Sequence, residues 1–135
     1  MPDQTDGLRV LVVDDDVESA TTFSVLLQMQ GCRTAAAFGA ADGLSILKLL
    51  KPDLAFIDLS MPGTDGCYTL KVFKTGVPAV HPLYVCLTGH AGFESQALEA
   101  GFDRYVVKPM EPVVLADILT EARRRAAAQR ASEAA

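Results

Sequence analysis

No window of this sequence approaches the roughly 20 consecutive apolar residues that a helix needs to cross a bilayer, so no spanning segment is expected. The opening residues MPDQTDG lack the basic start and the apolar run of a secretory signal, and export is not expected either. Cysteine is scarce: Cys32, Cys67 and Cys86 are odd in number and have no C-x-x-C spacing. That speaks against a disulfide framework or a zinc site and for three reduced thiols in a cytoplasmic protein. Positive charge is short as well. Twelve Lys and Arg face 17 Asp and Glu, a net charge of -5, which argues against a nucleic-acid surface as the main business of the chain; no membrane partner is expected either. The same balance suits a site for cations.

What is present fits one globular domain: 135 residues, 50% of them hydrophobic and 21% charged, enough to bury a core. The most telling stretch is VLVVDDD, Val10 to Asp16, an apolar run driven straight into three carboxylates. Adjacent like charges disfavour one another's ionised form, so a cation or open water must answer them. Asp16 reads as the cap of a helix over Val17 to Gln30 that Gly31 closes, a role worth about 1 kcal/mol.

Further along, short apolar runs alternate with helical periodicity. Leu8 to Val13, Thr34 to Phe38, Leu54 to Ile57, Leu83 to Leu87 and Tyr105 to Val107 read as strands. Ala40, Leu44 and Leu47 mark a second helix that ends before Pro52, and a third runs to about Lys74. Ala91 to Ala100 reads as the fourth, stopped by Gly101, and Leu115, Ile118, Leu119 and Ala122 face the core from the last. LSMPGTDG and GVPAVHP carry loop chemistry. Strands each followed by a helix imply a doubly wound α/β fold with a parallel sheet and right-handed crossovers. Ligands of such sheets bind at the carboxyl ends of the strands.

Those ends carry Asp14 and Asp15, Asp58, Thr88 and Lys108. Three carboxylates form a hard anionic cluster suited to Mg²⁺. Lys108 and Thr88 beside it would hold an anion with several oxygens, and a phosphoryl group bridged to Mg²⁺ fits. Asp58, alone at the end of its strand, is the candidate to form an aspartyl phosphate.

The pieces VLVVDDD, AFIDLSMPGTDG, VCLTG and DRYVVKP, in that order, resemble the receiver domains of two-component response regulators. The resemblance implies a flavodoxin-like (βα)5 fold with strand order 2-1-3-4-5 and a receiver domain over residues 8–128, between an extension at 1–7 and an Ala-rich tail at 129–135. It implies that a histidine kinase or histidine phosphotransfer protein phosphorylates Asp58. Asp15 would be the direct Mg²⁺ ligand, Asp14 its companion, and the backbone carbonyl of Ser60 a third protein ligand beside Asp58. Thr88 would be the switch hydroxyl, Lys108 the ion-pair partner and Tyr105 the aromatic that changes rotamer, with a cis bond between Lys108 and Pro109. No enzyme activity is expected beyond Mg-dependent self-phosphorylation from a phosphodonor and autodephosphorylation. An unknown downstream protein would read the fourth helix, fifth strand and fifth helix, a face that also offers a homodimer contact.

Ser60 and His90 occupy positions that tune the lifetime of the phosphoryl group in this family, and Gly89 leaves access to the site open. An aspartyl-phosphate hydrolase of the haloacid dehalogenase type is the rival enzyme reading, but it needs an Asp two residues after the acceptor, where Ser60 stands. A pseudo-receiver, an interaction module that never takes phosphate, is the rival without chemistry, and the intact set of acids, Thr and Lys speaks against it. Arg123 to Arg125, near the end of the last helix, match its dipole.

Overall fold

The computed structural model describes residues 7–59 and 66–134. The expected extension at 1–7 therefore lies almost wholly outside the described residues, as do Ser60 and most of the loop LSMPGTDG. Strands β1 (Arg9–Val13), β2 (Arg33–Ala37), β3 (Leu54–Asp58), β4 (Leu83–Thr88) and β5 (Arg104–Val107) alternate with helices α1 (Val17–Met29), α2 (Ala40–Leu50), α3 (Gly66–Gly76), α4 (Glu94–Ala100) and α5 (Pro112–Ala134). All paired strands are parallel, in the order β2-β1-β3-β4-β5. The doubly wound fold and its strand order are as expected. Among the described residues no helix is long and apolar enough to cross a membrane.

The pleat sorts alternate residues of each strand to opposite faces, and so builds two cores. Val10, Val12, Phe56, Val85 and Val106 pack against Ala20 and Leu27 of α1 and against Leu115, Ile118, Leu119 and Ala122 of α5. Leu11, Val13, Ile57 and Cys86 pack against Leu47 of α2, Leu70 and Phe73 of α3 and Ala97 of α4. The central strands β3 and β4 are buried at every residue, which is why they read as unbroken apolar runs. The three cysteines are free thiols.

Two local expectations are corrected. The fourth helix begins at Glu94, not Ala91, because Gly92 takes a φ of +104° that no right-handed helix can run through. Asp16 occupies the N-cap position of α1 but caps nothing with its side chain, which accepts the Ser19 hydroxyl instead. The last helix also runs unbroken past residue 128 to Ala134. Its final turns are tied to the start of the sheet, with Gln129 donating to the His81 carbonyl at 3.3 Å and Arg130 lying 3.7 Å from Asp53.

Candidate functional site

Register decides which strand-end residues meet. Val13 pairs with Ile57, so Asp14 and Asp58 leave their strands side by side. Asp58 pairs with Leu87, one residue before Thr88, and Thr88 pairs with Val107, one residue before Lys108. The Lys108 N–H donates to the Thr88 carbonyl at 2.7 Å, and the Lys108–Pro109 peptide is cis.

Asp14 and Asp58 are each 6% exposed, a degree of burial that carboxylates tolerate only with partners. Lys108 supplies one: its Nζ donates to Asp58 Oδ2 at 3.0 Å and lies 3.6 Å from Asp14 Oδ2. Asp14 also accepts the Asp16 N–H at 3.0 Å, which closes the turn between β1 and α1. Burial raises the Asp14 pKa above the usual carboxylate value, and Asp58 pushes the same way against the Asp16 N–H and Lys108. Burial works to lower the Lys108 pKa, but Asp58 and Asp14 outweigh it and hold the ammonium above its usual value.

One ammonium thus faces two buried carboxyl groups. Asp15, the next residue, is exposed at the rim. Among the described residues no three Asp, Glu, His or Cys side chains are gathered as a metal cage, so the structure brings Asp14, Asp58 and Lys108 together and leaves Asp15 outside that group. Two hard oxygen donors beside a single ammonium still fit a hard divalent cation better than any soft metal.

Thr88 is 1% exposed, and its Oγ1 accepts the His90 N–H at 3.2 Å. Tyr105 is partly buried; its hydroxyl donates to the His90 carbonyl at 2.8 Å and accepts the Phe93 N–H at 3.2 Å. The segment between β4 and α4 is therefore held at one end by Thr88 and along its length by Tyr105. A Cβ at Gly89 would meet nothing within 4 Å, so this side of the site is open.

Gly66 was not singled out as a functional position, yet it sets how closely α3 approaches the acceptor strand. A Cβ there would lie 2.7 Å from Leu59 Cα and 3.0 Å from the Asp58 carbonyl oxygen. The glycine of TDG carries that signal only once the contact is known. Beside the acids, an apolar cavity of about 610 Å³ runs between α1 and the segment after β5, lined by Phe23, Leu26, Pro109, Met110 and Leu115 and reaching Asp14 and Lys108.

Residues 10–120 match the family model of the response regulator receiver domain. The chain is 34% identical over 108 residues to the DNA-binding response regulator MtrA of Mycolicibacterium paratuberculosis, covering 77% of this chain and 46% of that protein. It thus spans about half the length of that relative. It is 31% identical over 111 residues to Protein PilG of Pseudomonas aeruginosa, covering 81% of this chain and 82% of that one. Among solved structures it resembles a CheY-like receiver domain protein from Methanospirillum hungatei, with a TM-score of 0.76, 27% identity and coverage of 88% of this chain and 95% of that one. A CheY-like receiver domain from Methylobacillus flagellatus gives a TM-score of 0.74 at 28% identity, covering 86% and 98%.

Proposed function

The chain belongs to the response regulator receiver domain family, and from that premise we propose that it takes a phosphoryl group onto Asp58 from a phosphohistidine partner and signals through protein contact. The observation that carries this reading is Lys108, poised 3.0 Å from Asp58 and 3.6 Å from Asp14 where the sheet ends. A carboxylate oxygen of Asp58 attacks phosphorus, the phosphorus–nitrogen bond to the donor imidazole breaks, and an acyl phosphate forms. Lys108 keeps the acceptor anchored and meets the added negative charge. Asp14, Asp15, Asp58 and the Ser60 carbonyl would hold Mg²⁺, which when bound neutralises charge on the phosphoryl oxygens.

The donor histidine must reach a residue that is 6% exposed, so its protein has to seat closely against the rim. The apolar cavity flanking Asp14 and Lys108 supplies a surface for that contact. The match covers 46% of the relative named as DNA-binding, and DNA binding is not assigned to the receiver domain.

The signal follows from charge. A phosphoryl group adds roughly -1.5 to -2 and strong acceptor oxygens, and favours only states in which donors have moved toward it. The Thr88 hydroxyl accepts from His90 and keeps its own proton to donate. Turning it toward the phosphoryl group releases His90, which Tyr105 also holds, so the β4–α4 segment and the Tyr105 ring are repositioned together. The surface of α4, β5 and α5, where a partner or a second copy would bind, changes in consequence. The cytoplasm, where phosphohistidine kinases deliver phosphate, is the compartment this reading requires.

The test is intact-mass analysis with Mg²⁺ and a small acyl-phosphate donor. One phosphoryl addition is expected, labile to hydroxylamine, and none in Asp58→Asn. Uptake by Asp58→Asn at the parent rate would overturn the assignment, and no uptake by the parent would favour the pseudo-receiver.

A further inference from the structure

At the edge of the sheet opposite Asp58, a second cavity of about 300 Å³ opens between the end of α3, the segment before β4, the start of β5 and the flank of α5. Lys74, His81 and Arg125 line it, with Asp103 as its one acid and Pro82 in its wall. In a chain of net charge -5 this gathering of cationic and imidazole groups runs against the overall balance. The Lys74 ammonium lies 5.6 Å from the centre of the Tyr84 ring and donates to the Gly101 carbonyl at 2.9 Å, with two further N–H groups to give. Arg125 stands 3.6 Å from Asp103 Oδ2, an oxygen already accepting the Tyr84 N–H at 2.8 Å. The carboxylate is thus shared, and the guanidinium retains free donors.

A second observation comes from Tyr84, which also lines the cavity. The residue is 3% exposed and its hydroxyl has no hydrogen-bond partner. A buried hydroxyl left unpaired is costly, and native proteins keep few such groups without a use for them.

We propose that this cavity binds a small phosphate-bearing molecule, its phosphate held by Lys74 and Arg125. Lys74 swings off the Gly101 carbonyl and off the Tyr84 ring it covers to meet it, the buried Tyr84 hydroxyl thereby reaches the acceptor it lacks, and the rest of the molecule lies against Pro82. No covalent step is involved, and the site stands whether or not Asp58 is phosphorylated.

The probes are inorganic phosphate and glycerol 2-phosphate, titrated without Mg²⁺ at constant ionic strength and followed by amide NMR, with chloride as the control. Saturable shifts are expected at Lys74, His81, Tyr84 and Asp103, with glycerol 2-phosphate binding more tightly than inorganic phosphate. Arg125→Gln and Lys74→Gln, both near the surface, should each weaken binding about tenfold, as the loss of a charge-assisted contact does. Tyr84→Phe, which keeps the ring, should weaken it by a smaller factor. Shifts that grow linearly without saturating, saturate only around Asp14 and Lys108, or are equal in Arg125→Gln and the parent overturn the proposal, as does unchanged affinity in Tyr84→Phe.

Discussion

The two edges of the sheet carry opposite charge plans built on the same geometry. At the carboxyl edge one cation, Lys108, lies between two acids, Asp14 and Asp58. At the amino edge one acid, Asp53, lies between two cations, Arg9 at 3.4 Å and Arg130 at 3.7 Å. The difference lies in what is left over. Asp53 also accepts the Arg9 N–H at 2.9 Å, so its charge is answered on several sides, and what it does is fasten β1, β3 and α5 together. At the carboxyl edge two buried acids share one ammonium, an arrangement that can take a further cation. An acid enclosed by cations holds structure; acids that outnumber the cation beside them are placed to take another.

The sharpest way to break this comparison is to remove the central residue of the structural edge. Asp53→Ala strands the Arg9 N–H and unpairs two partly exposed guanidiniums and should cost about 2–3 kcal/mol, measured by urea unfolding. The fraction still folded should accept a phosphoryl group at the parent rate. A loss of uptake in folded protein would mean that the edges are not separable.

Next in size is Tyr84, buried close to Asp103 at the amino edge. Burial, with the Asp103 charge adding to it, pushes its phenol from 10.0 up to about 12. A folded-state pKa raised above the unfolded one gives stability that is complete below pH 10 and lost as pH rises through 12. Two units correspond to about 2–3 kcal/mol. Tyr84→Phe should abolish this alkaline loss, and parallel unfolding curves at pH 9 and 12 check it.

A smaller effect is expected at the carboxyl edge. The raised pKa of Asp14 likewise marks stability present below its ordinary value of 3.8 and lost as pH rises through the folded value. Above that folded value, and without metal, the protein bears the penalty. Asp14→Asn keeps an oxygen for the Asp16 N–H and should raise the Tm at pH 7, with the gain vanishing in acid. Mg²⁺ should raise the Tm of the parent and not of the variant. A fall in Tm at pH 7 would show that Asp14 is already neutralised from within, like Asp53.

Least is expected of Asp16→Ala. The side chain bonds Ser19 rather than the first backbone N–H groups, so the change should cost about 0.5 kcal/mol or less, below the usual worth of a cap. Thermal unfolding beside Ser19→Ala measures it; a loss near 2 kcal/mol would restore the capping role.

Local pattern made the strands and most of the helices legible, since unbroken apolar runs such as Leu83 to Leu87 and the spacing of Leu115, Ile118 and Ala122 mark burial directly. The start of α4 was not legible, because nothing in AGFES announces that Gly92 takes a positive φ. The acids, Thr88 and Lys108 stood out because polar residues that end apolar runs are conspicuous in any order of reading. Their grouping needed the fold: the parallel register puts Asp14 beside Asp58 and Thr88 beside Val107, and only then does Lys108, 50 residues away in the chain, fall within 3.0 Å of the acceptor.

By itself, then, the sequence determined the apolar faces, the alternation of elements and the chemical kinds of group waiting at the strand ends. Each of these depends on neighbours within a few residues. Tertiary structure alone decided the rest: that Asp14 is buried while Asp15 is not, that Asp53 is neutralised by arginines 44 and 77 residues distant in the chain, and that the Tyr84 hydroxyl is left without a partner. Burial and ion pairing are properties of the space around a group, and for these residues that space is filled by distant segments whose arrival no local pattern encodes.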